Sequence, residues 1–187
     1  MSGEPAIQLP VDARRASHDV RRERLAELFD AHEDRLYRLA RRLAGSADEA
    51  NDLVQDTFVR AASSLTSVPA GFAKEEAWLV RVLINIQRDA WRRKAVRKRA
   101  APMLRADATE YPATIESALA AKRAVWTALG RLHPRRRAIV IMHELEGMDL
   151  AAIASLLGVT LMTVRWHLSM GRRDLREALA AHLGDKK

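Results

Sequence analysis

Glu75–Arg99 reads EEAWLVRVLINIQRDAWRRKAVRKR, and the way this stretch divides its faces decides the fold. Leu79, Val82, Leu83, Ile86 and Ala90 recur at helical spacing, which predicts a helix with one stripe buried against a core. Arg81, Asn85, Arg88, Arg92 and Arg93 occupy the other faces, with Trp78 and Trp91 beside them. No Gly or Pro interrupts the run. Its last turns, Trp91–Arg99, hold six basic residues, Arg97 among them, and no acidic one. A helix C-terminus favours cations, but six exceed what a cap needs. A half-buried helix that turns densely basic beside tryptophans has the composition of a nucleic-acid surface. The plainer alternative is a solvated basic helix end.

The rest of the chain sharpens that contrast. Its 187 residues suit one domain or two small ones, with 48% hydrophobic and 30% charged residues. The formal net charge is +8, from 32 Lys and Arg against 24 Asp and Glu. Without Trp91–Arg99, the first hundred residues are net negative. Such segregation predicts an anionic partner at one face and a different partner at another. There is no cysteine, which excludes disulfides and thiolate metal sites. The six histidines lack paired ligand spacing. The N-terminus has no apolar signal core. No uninterrupted apolar run exceeds the five residues of Ala138–Met142, too few to span a bilayer. A soluble, cytoplasmic, all-α protein without membrane insertion, cofactor or metal is expected.

Upstream of the central helix, residues 1–18 contain Pro5 and Pro10 without periodicity and read as a mobile leader. Asp19–Ala44 reads as a first helix, with Leu25, Leu28, Phe29, His32, Leu36, Leu39, Ala40 and Leu43 in one stripe. His32 reads there as a satisfied core histidine. Gly45 ends the helix, and Ser46-x-x-Glu49 is a capping box opening a second. The second helix buries Ala50, Leu53, Val54, Thr57, Phe58, Ala61, Ala62 and Leu65. Asp52, Gln55, Asp56 and Val59 form its outward face. Negative charge early in a helix suits the dipole, but this face is also arranged to meet a basic partner. No third ligand is spaced to make Asp52 and Asp56 a metal site. Thr66–Lys74 is a loop by Pro69 and Gly71, with Phe72 as an exposed aromatic.

Downstream, 100–115 contains Pro102 and Pro112 and reads as a linker. A flexible chain of that length has a root-mean-square span of roughly 20–24 Å, enough to hold two modules, 19–99 and 116–183, apart on one long ligand. Glu116–Leu132 reads as a helix with Leu119, Lys122, Trp126 and Leu129 on one side. Pro134 starts the next, which ends at Gly147. Arg135, Arg136 and Arg137 crowd its start, where the dipole disfavours cations, and this conflict suggests an external anion. Asp149 caps a short helix, Gly158 makes a turn and Thr160 caps a further helix. Short helix, Gly turn and capped helix together read as a helix-turn-helix. The last helix presents Met162, Thr163, Arg165, Trp166, His167, Ser169, Arg172 and Arg173, residue types that reach base edges and phosphates. A plain helical hairpin with a polar face is the alternative.

Leu36–Phe58, LYRLARRLAGSADEANDLVQDTF, resembles regions 2.1 and 2.2 of extracytoplasmic-function (ECF) sigma factors of the sigma-70 family. Ala77–Arg93 is similar to their regions 2.3 and 2.4. Leu129–Arg176 resembles their region 4, notably at Leu132-x-Pro134, Glu146-Gly147, Ile153-Ala154, Leu157-Gly158-Val159 and Thr163-Val164. The resemblance implies a non-enzymatic subunit of RNA polymerase with two helical domains, one carrying the helix-turn-helix. It implies docking on the core polymerase through Asp52, Leu53, Gln55, Asp56 and Phe58. It implies opening of the minus-ten element, and capture of the melted non-template strand, by the loop Thr66–Lys74 with Arg81, Asn85, Arg88, Arg92 and Arg93. It implies duplex readout at minus-thirty-five by Thr163, Arg165, Trp166, His167 and Arg172. An anti-sigma factor is a further implied partner. A two-module helix-turn-helix regulator that never joins polymerase is the other reading, and the acidic face at Asp52 and Asp56 separates the two. A DNA-processing enzyme would need a nucleophile–base pair, a phosphate loop or a metal cluster, and none is spaced for it.

The sequence departs from the family pattern in places. Glu75 and Glu76 stand where an aromatic and a basic residue are usual. Leu161 and Met162 replace Glu-Gly, and Trp166 and His167 replace a small and a basic residue. Gly171, within a helix, should lower helix stability by roughly 1 kcal/mol.

Overall fold

A computed structural model describes the backbone of residues 11–100 and 117–184 and the side chains of residues 18–96, 121 and 123–180. Every regular element among them is helical: α1 (Val11–Leu43), α2 (Ala47–Ser63), α3 (Phe72–Ala100), α4 (Ser117–Arg131), α5 (Pro134–Val140), α6 (Leu150–Leu157) and α7 (Leu161–Gly184). Helix α1 begins at Val11, so residues 11–18, expected as leader, are helical. Residues 1–10 and 101–116, where the rest of the leader and most of the linker are expected, lie outside the described residues.

The first body is α1–α3. Leu28, His32, Leu36, Leu39, Ala40 and Leu43 of α1 are buried, but Phe29 is 43% exposed and rests its ring on Phe58 at 4.8 Å. Ser46 caps α2 by accepting from the Glu49 N–H at 3.1 Å. The Glu49 carboxylate reaches back to the N–H of Gly45 at 2.8 Å, one residue before the expected box partner. Ala50, Leu53, Val54, Thr57, Phe58 and Ala61 face inward as the periodicity predicts, and Thr57 returns its hydroxyl to the Leu53 carbonyl.

Helix α3 lies between two neighbours, and this shifts its buried stripe. Leu79, Val80, Leu83 and Ile84 are fully covered, while Val82, Ile86 and Ala90 are only half-buried. A stripe spaced for one contact face becomes a wider band because α1 and α2 pack on one side and α5 and α6 on the other. The two bodies are therefore packed together in this structure, not held apart. Leu129, Leu132, Ala138–Met142, Ile153, Leu157, Val164 and Leu168 complete one hydrophobic core that runs through both.

The second body is α4–α7. Pro134 sits in the first turn of α5, where its missing N–H is harmless. After Val140 the helix widens into a π turn, Ile141–Leu145, closed by the Glu146 N–H donating to the Ile141 carbonyl at 3.2 Å. Asp149 caps α6 by accepting from the N–H groups of Ala151 and Ala152, both at 2.8 Å. Gly158 ends α6 in the left-handed conformation, φ 63°, and so sets the turn into α7. Two of the three arginines at the start of α5, Arg136 and Arg137, find partners within the protein. Arg136 pairs with Asp174 of α7. Arg137 is buried and donates to the Arg42 carbonyl at 2.9 Å, at the electronegative end of α1. Burial lowers its pKa to about 10, which still leaves it charged near neutral pH. No single helix among the described residues is long and apolar enough to cross a membrane.

Candidate nucleic-acid interface

Helix α2 turns Asp52, Gln55, Asp56 and Val59 to solvent. Leu53 and Phe58, expected on the same docking face, are 4% and 7% exposed and belong to the core. They set the height of the ridge; the carboxylates and Gln55 are what a partner meets. Beside the ridge, α1 and α2 leave an apolar groove of about 990 Å³ floored by Leu25, Ala26, Phe29, Phe58 and Val59. Asp19, Glu23 and Asp30 line it as well. Periodicity assigned Phe29 to the core; its partial exposure could have been suspected only from the lack of a third helix to cover it.

Between the end of α2 and the outer side of α3 lies a second groove, of about 720 Å³. It gathers Arg81, Asn85 and Arg93, as anticipated. Trp78 and Ser67 line it too, as do the carboxylates Asp56 and Asp89, while Arg60, Ser63 and Ser64 at the end of α2 gave no sequence signal for this role. Cations, an amide, hydroxyls and an indole in one trough suit an unstacked nucleotide and its phosphate. Arg88 turns toward Asp89 at 3.3 Å, and Arg92 is exposed. The Arg97 side chain lies outside the described residues. Arg81 is not wholly free for DNA, since its Nη1 donates to the Leu156 carbonyl of α6 at 3.2 Å.

The loop before α3 is anchored from below. Glu75 is buried under it. Its Oε1 accepts from Arg24 and from the Gly71 N–H at 3.1 Å, and its Oε2 meets His32 Nε2 at 3.1 Å. Arg24, with help from His32 and Gly71, holds the Glu75 carboxyl below its ordinary pKa against the opposing effect of burial. Phe72, 62% exposed, lays its ring over His32 at 4.6 Å. His32 is thus a core histidine tied to a carboxylate through Nε2, but its buried Nδ1 has no hydrogen-bond partner among the described residues, so it is not the fully satisfied histidine the sequence predicts.

Helix α7 begins with Thr160 accepting from the Thr163 N–H at 3.1 Å. The Thr163 hydroxyl is also engaged, 2.8 Å from Thr160 Oγ1, so it is half-buried in the cap and not free for a base. Met162, Arg165 and Trp166 stand out to solvent, Met162 at 70% and Trp166 at 53%. The Arg136 guanidinium sits 5.6 Å over the Trp166 ring. Arg172 meets Glu144 at 2.6 Å, and Arg173 lies 3.6 Å from both Asp174 and Glu177. His167 is half-buried and its pKa is lowered, by burial first and then by Arg135 and Arg136. Met162, Arg165 and Trp166 are therefore the freest probes of a groove. Among the described residues no group of three or more His, Asp or Glu is placed to hold a metal ion.

Comparison with known proteins supplies the remaining findings. The family Sigma-70 region 2 matches residues 28–97, and Sigma-70, region 4 matches residues 122–175. The ECF RNA polymerase sigma factor SigE of Mycolicibacterium smegmatis is 38% identical over 165 residues, covering 83% of this chain. The chain spans 62% of that relative's length. The ECF RNA polymerase sigma factor SigM of Mycobacterium tuberculosis is 30% identical over 153 residues, covering 82% of this chain and 76% of SigM. Among solved structures, the sigma factor RpoE of Bartonella quintana, crystallised with the anti-sigma factor NepR, aligns with a TM-score of 0.57 at 25% identity. That alignment covers 87% of this chain and 97% of the other.

Proposed function

The chain belongs to the sigma-70 family, among its ECF RNA polymerase sigma factors, and on that premise we propose that it joins core polymerase and directs promoter recognition, melting and initiation. The observation that carries this is the presence of two adjoining surfaces of different chemistry on the first body. An exposed anionic ridge, Asp52–Gln55–Asp56, lies on α2, and beside it, between α2 and α3, lies a trough that brings Arg60, Arg81 and Arg93 together with Trp78, Asn85 and three serines and shares Asp56 with the ridge. A ridge of carboxylates repels DNA and suits a basic protein surface, so one body holds a protein with one face and nucleic acid with the other.

In this reading residues 19–99 dock on polymerase and take the minus-ten element, 100–115 links, and 116–183 reads minus-thirty-five. Asp52, Gln55 and Asp56 make the protein contact, with Leu53 and Phe58 shaping it from beneath. Arg81, Asn85, Arg88, Arg92, Arg93 and Arg97 follow the melted non-template strand, and Trp78 offers a ring to an extruded base. Arg165 and Trp166 meet the upstream major groove, with Thr163 and His167 behind them. Arg172 and Arg173 approach phosphates. The chain itself performs no covalent chemistry and works in the cytoplasm, where its polymerase is. An anti-sigma factor is included among its partners, as RpoE of Bartonella quintana was crystallised with one.

The test is run-off transcription from a random promoter library by sigma-free core polymerase, with and without the purified chain. New start sites sharing upstream and minus-ten sequence are expected. Their complete absence sinks the reading.

A further inference from the structure

We propose that Met162 and Trp166 are specificity-determining residues that read thymine methyl groups in the upstream duplex, an inference that rests on the sigma-factor reading above. Helix α7 buries Val164 and Leu168. It turns Met162, Arg165, Trp166 and Ser169 outward, at the i, i+3, i+4 and i+7 positions of one face. In a helix-turn-helix the opening residues of this second helix are the ones that enter the major groove. Two of the four are large and apolar. Met162 is 70% exposed and Trp166 53%, and their spacing sets them side by side. Single exposed apolar side chains are ordinary, but two adjoining ones on a face flanked by exposed Arg165, Arg172 and Arg173 point to a contact site. The indole is also held in place. The Arg136 guanidinium lies 5.6 Å over its ring, and the His167 ring stands edge-on at 4.8 Å. Asp174 in turn fixes Arg136. A ring braced on one side offers its remaining surface with little further loss of side-chain freedom on binding.

The choice of base follows from the chemistry of the groove. Base edges there present hydrogen-bond donors, acceptors and a single kind of apolar group, the thymine C5-methyl. A thioether has no donor and an indole has one N–H, so neither reproduces the paired bonds that arginine makes with guanine or asparagine with adenine. Pressed against donors and acceptors, the two side chains would strip water from groups left without partners, which is costly. Pressed against a methyl, both partners gain from burial. The flanking arginines match the phosphates that border a groove, which commits the face to duplex DNA and not to an apolar protein surface. Four residues of helix rise about 6 Å, and base steps follow at about 3.4 Å. The two side chains therefore reach thymines about two steps apart, on either strand. Arg165, on the same face, is left to a polar base edge or a phosphate.

The test uses holoenzyme assembled from core polymerase and the full chain, with the promoter duplex most enriched in the run-off library. Deoxyuridine replaces thymidine at one upstream position at a time, which deletes the methyl and leaves the hydrogen-bonding edge intact. Affinity should fall roughly fourfold at one or two neighbouring positions, from about 0.8 kcal/mol per buried apolar carbon at about 1.4 kcal/mol per tenfold. It should stay level at the other thymines. In Trp166→Ala or Met162→Ala, uridine and thymidine should bind equally well at the position that side chain covers. A role confined to helix packing would lower affinity for both bases alike and leave the uridine penalty in place. Should Trp166→Ala lose its helical circular dichroism, Met162→Ala carries the test through the other side chain. A level uridine scan on a selectively bound promoter overturns methyl reading and leaves the sigma-factor reading standing. So does a penalty that survives both substitutions, or an enriched upstream element without thymine. Binding to no promoter overturns both readings.

Discussion

Gly171→Ala sets two effects of known sign against each other in α7, the helix proposed to read upstream DNA. Alanine is the better helix former by about 0.8–1.0 kcal/mol, so propensity alone predicts stabilisation. The residue, however, is buried where α7 crosses α5. A Cβ there would lie 2.6 Å from Val140 Cγ2 and 3.1 Å from Arg136 Cγ. Val140 is itself 3% exposed and cannot swing away, so the helices must part or a rotamer must strain, at about 1–3 kcal/mol. The clash should win, leaving a net loss of up to about 2 kcal/mol. Val140→Ala removes the offending methyl. The double variant should therefore lose less than the sum of the singles, by an amount within the roughly 0.5–3 kcal/mol seen for coupled neighbours. Urea unfolding of the four proteins, followed by circular dichroism, measures the cycle. A stabilised Gly171→Ala, or strict additivity, would refute the close approach as the reason for this glycine. Because Arg136 must also move, and it carries both the Asp174 pair and the contact with Trp166, upstream duplex binding should weaken along with stability.

Other expectations follow from the same geometry. Asp52→Arg with Asp56→Arg, both on solvent-facing positions, should abolish co-purification with core polymerase while leaving the melting curve within about 0.5 kcal/mol of wild type; retained co-purification removes the docking face. Arg92→Ala with Arg93→Ala should flatten the salt dependence of minus-ten binding by up to about two units of slope for any sequence, whereas Arg165→Ala should relax base preference upstream, and equal losses on all upstream sequences would contradict base reading by Arg165. Glu75 is held below its ordinary pKa of 4.5, first by Arg24, so it contributes stability above the unfolded value that fades as pH falls through the folded one. Glu75→Gln should thus lower stability near neutral pH and make the decline below about pH 4.5 shallower, and parallel acid-unfolding curves for the two proteins would contradict this.

Local patterns in the sequence translated well into structure where one rule acted alone. The caps at Ser46, Asp149 and Thr160, the Gly158 turn and the buried face of α2 follow from spacing and side-chain chemistry within a few residues. The phase of the α3 stripe was misread at Val82, Ile86 and Ala90 because periodicity assumes one packing partner and α3 has two. The fate of Arg136 and Arg137 could not be read either. Each is stabilised by a group 38 and 95 positions distant, Asp174 and the Arg42 carbonyl, and no local rule encodes such a meeting. Leu53 and Phe58 were placed on a docking face by resemblance, though their spacing with Ala50 and Ala61 already marked them as core. Glu75 and Glu76 looked like departures from a pattern; each carboxylate has an arginine of α1 opposite it, Arg24 and Arg35.

Those pairings change what the excess positive charge means. A net charge of +8 invites the inference that most cations face DNA. Yet Arg24 anchors the loop before α3, Arg136 braces α7, Arg137 caps α1 from outside, and Arg35 and Arg42 grip Glu146. Cations held by carboxylates or carbonyls within the protein release few counterions on meeting a phosphate. The exposed cations that make no ion pair among the described side chains are Arg92, Arg93 and Lys94 on α3 and Arg165 on α7, together with Arg21, Arg22, Arg38, Arg41, Arg60, Lys74, Arg131 and Arg176. The salt dependence of promoter binding should therefore follow the unpaired cations of the proposed DNA surfaces, Arg92, Arg93 and Arg165 among them, and not the net charge.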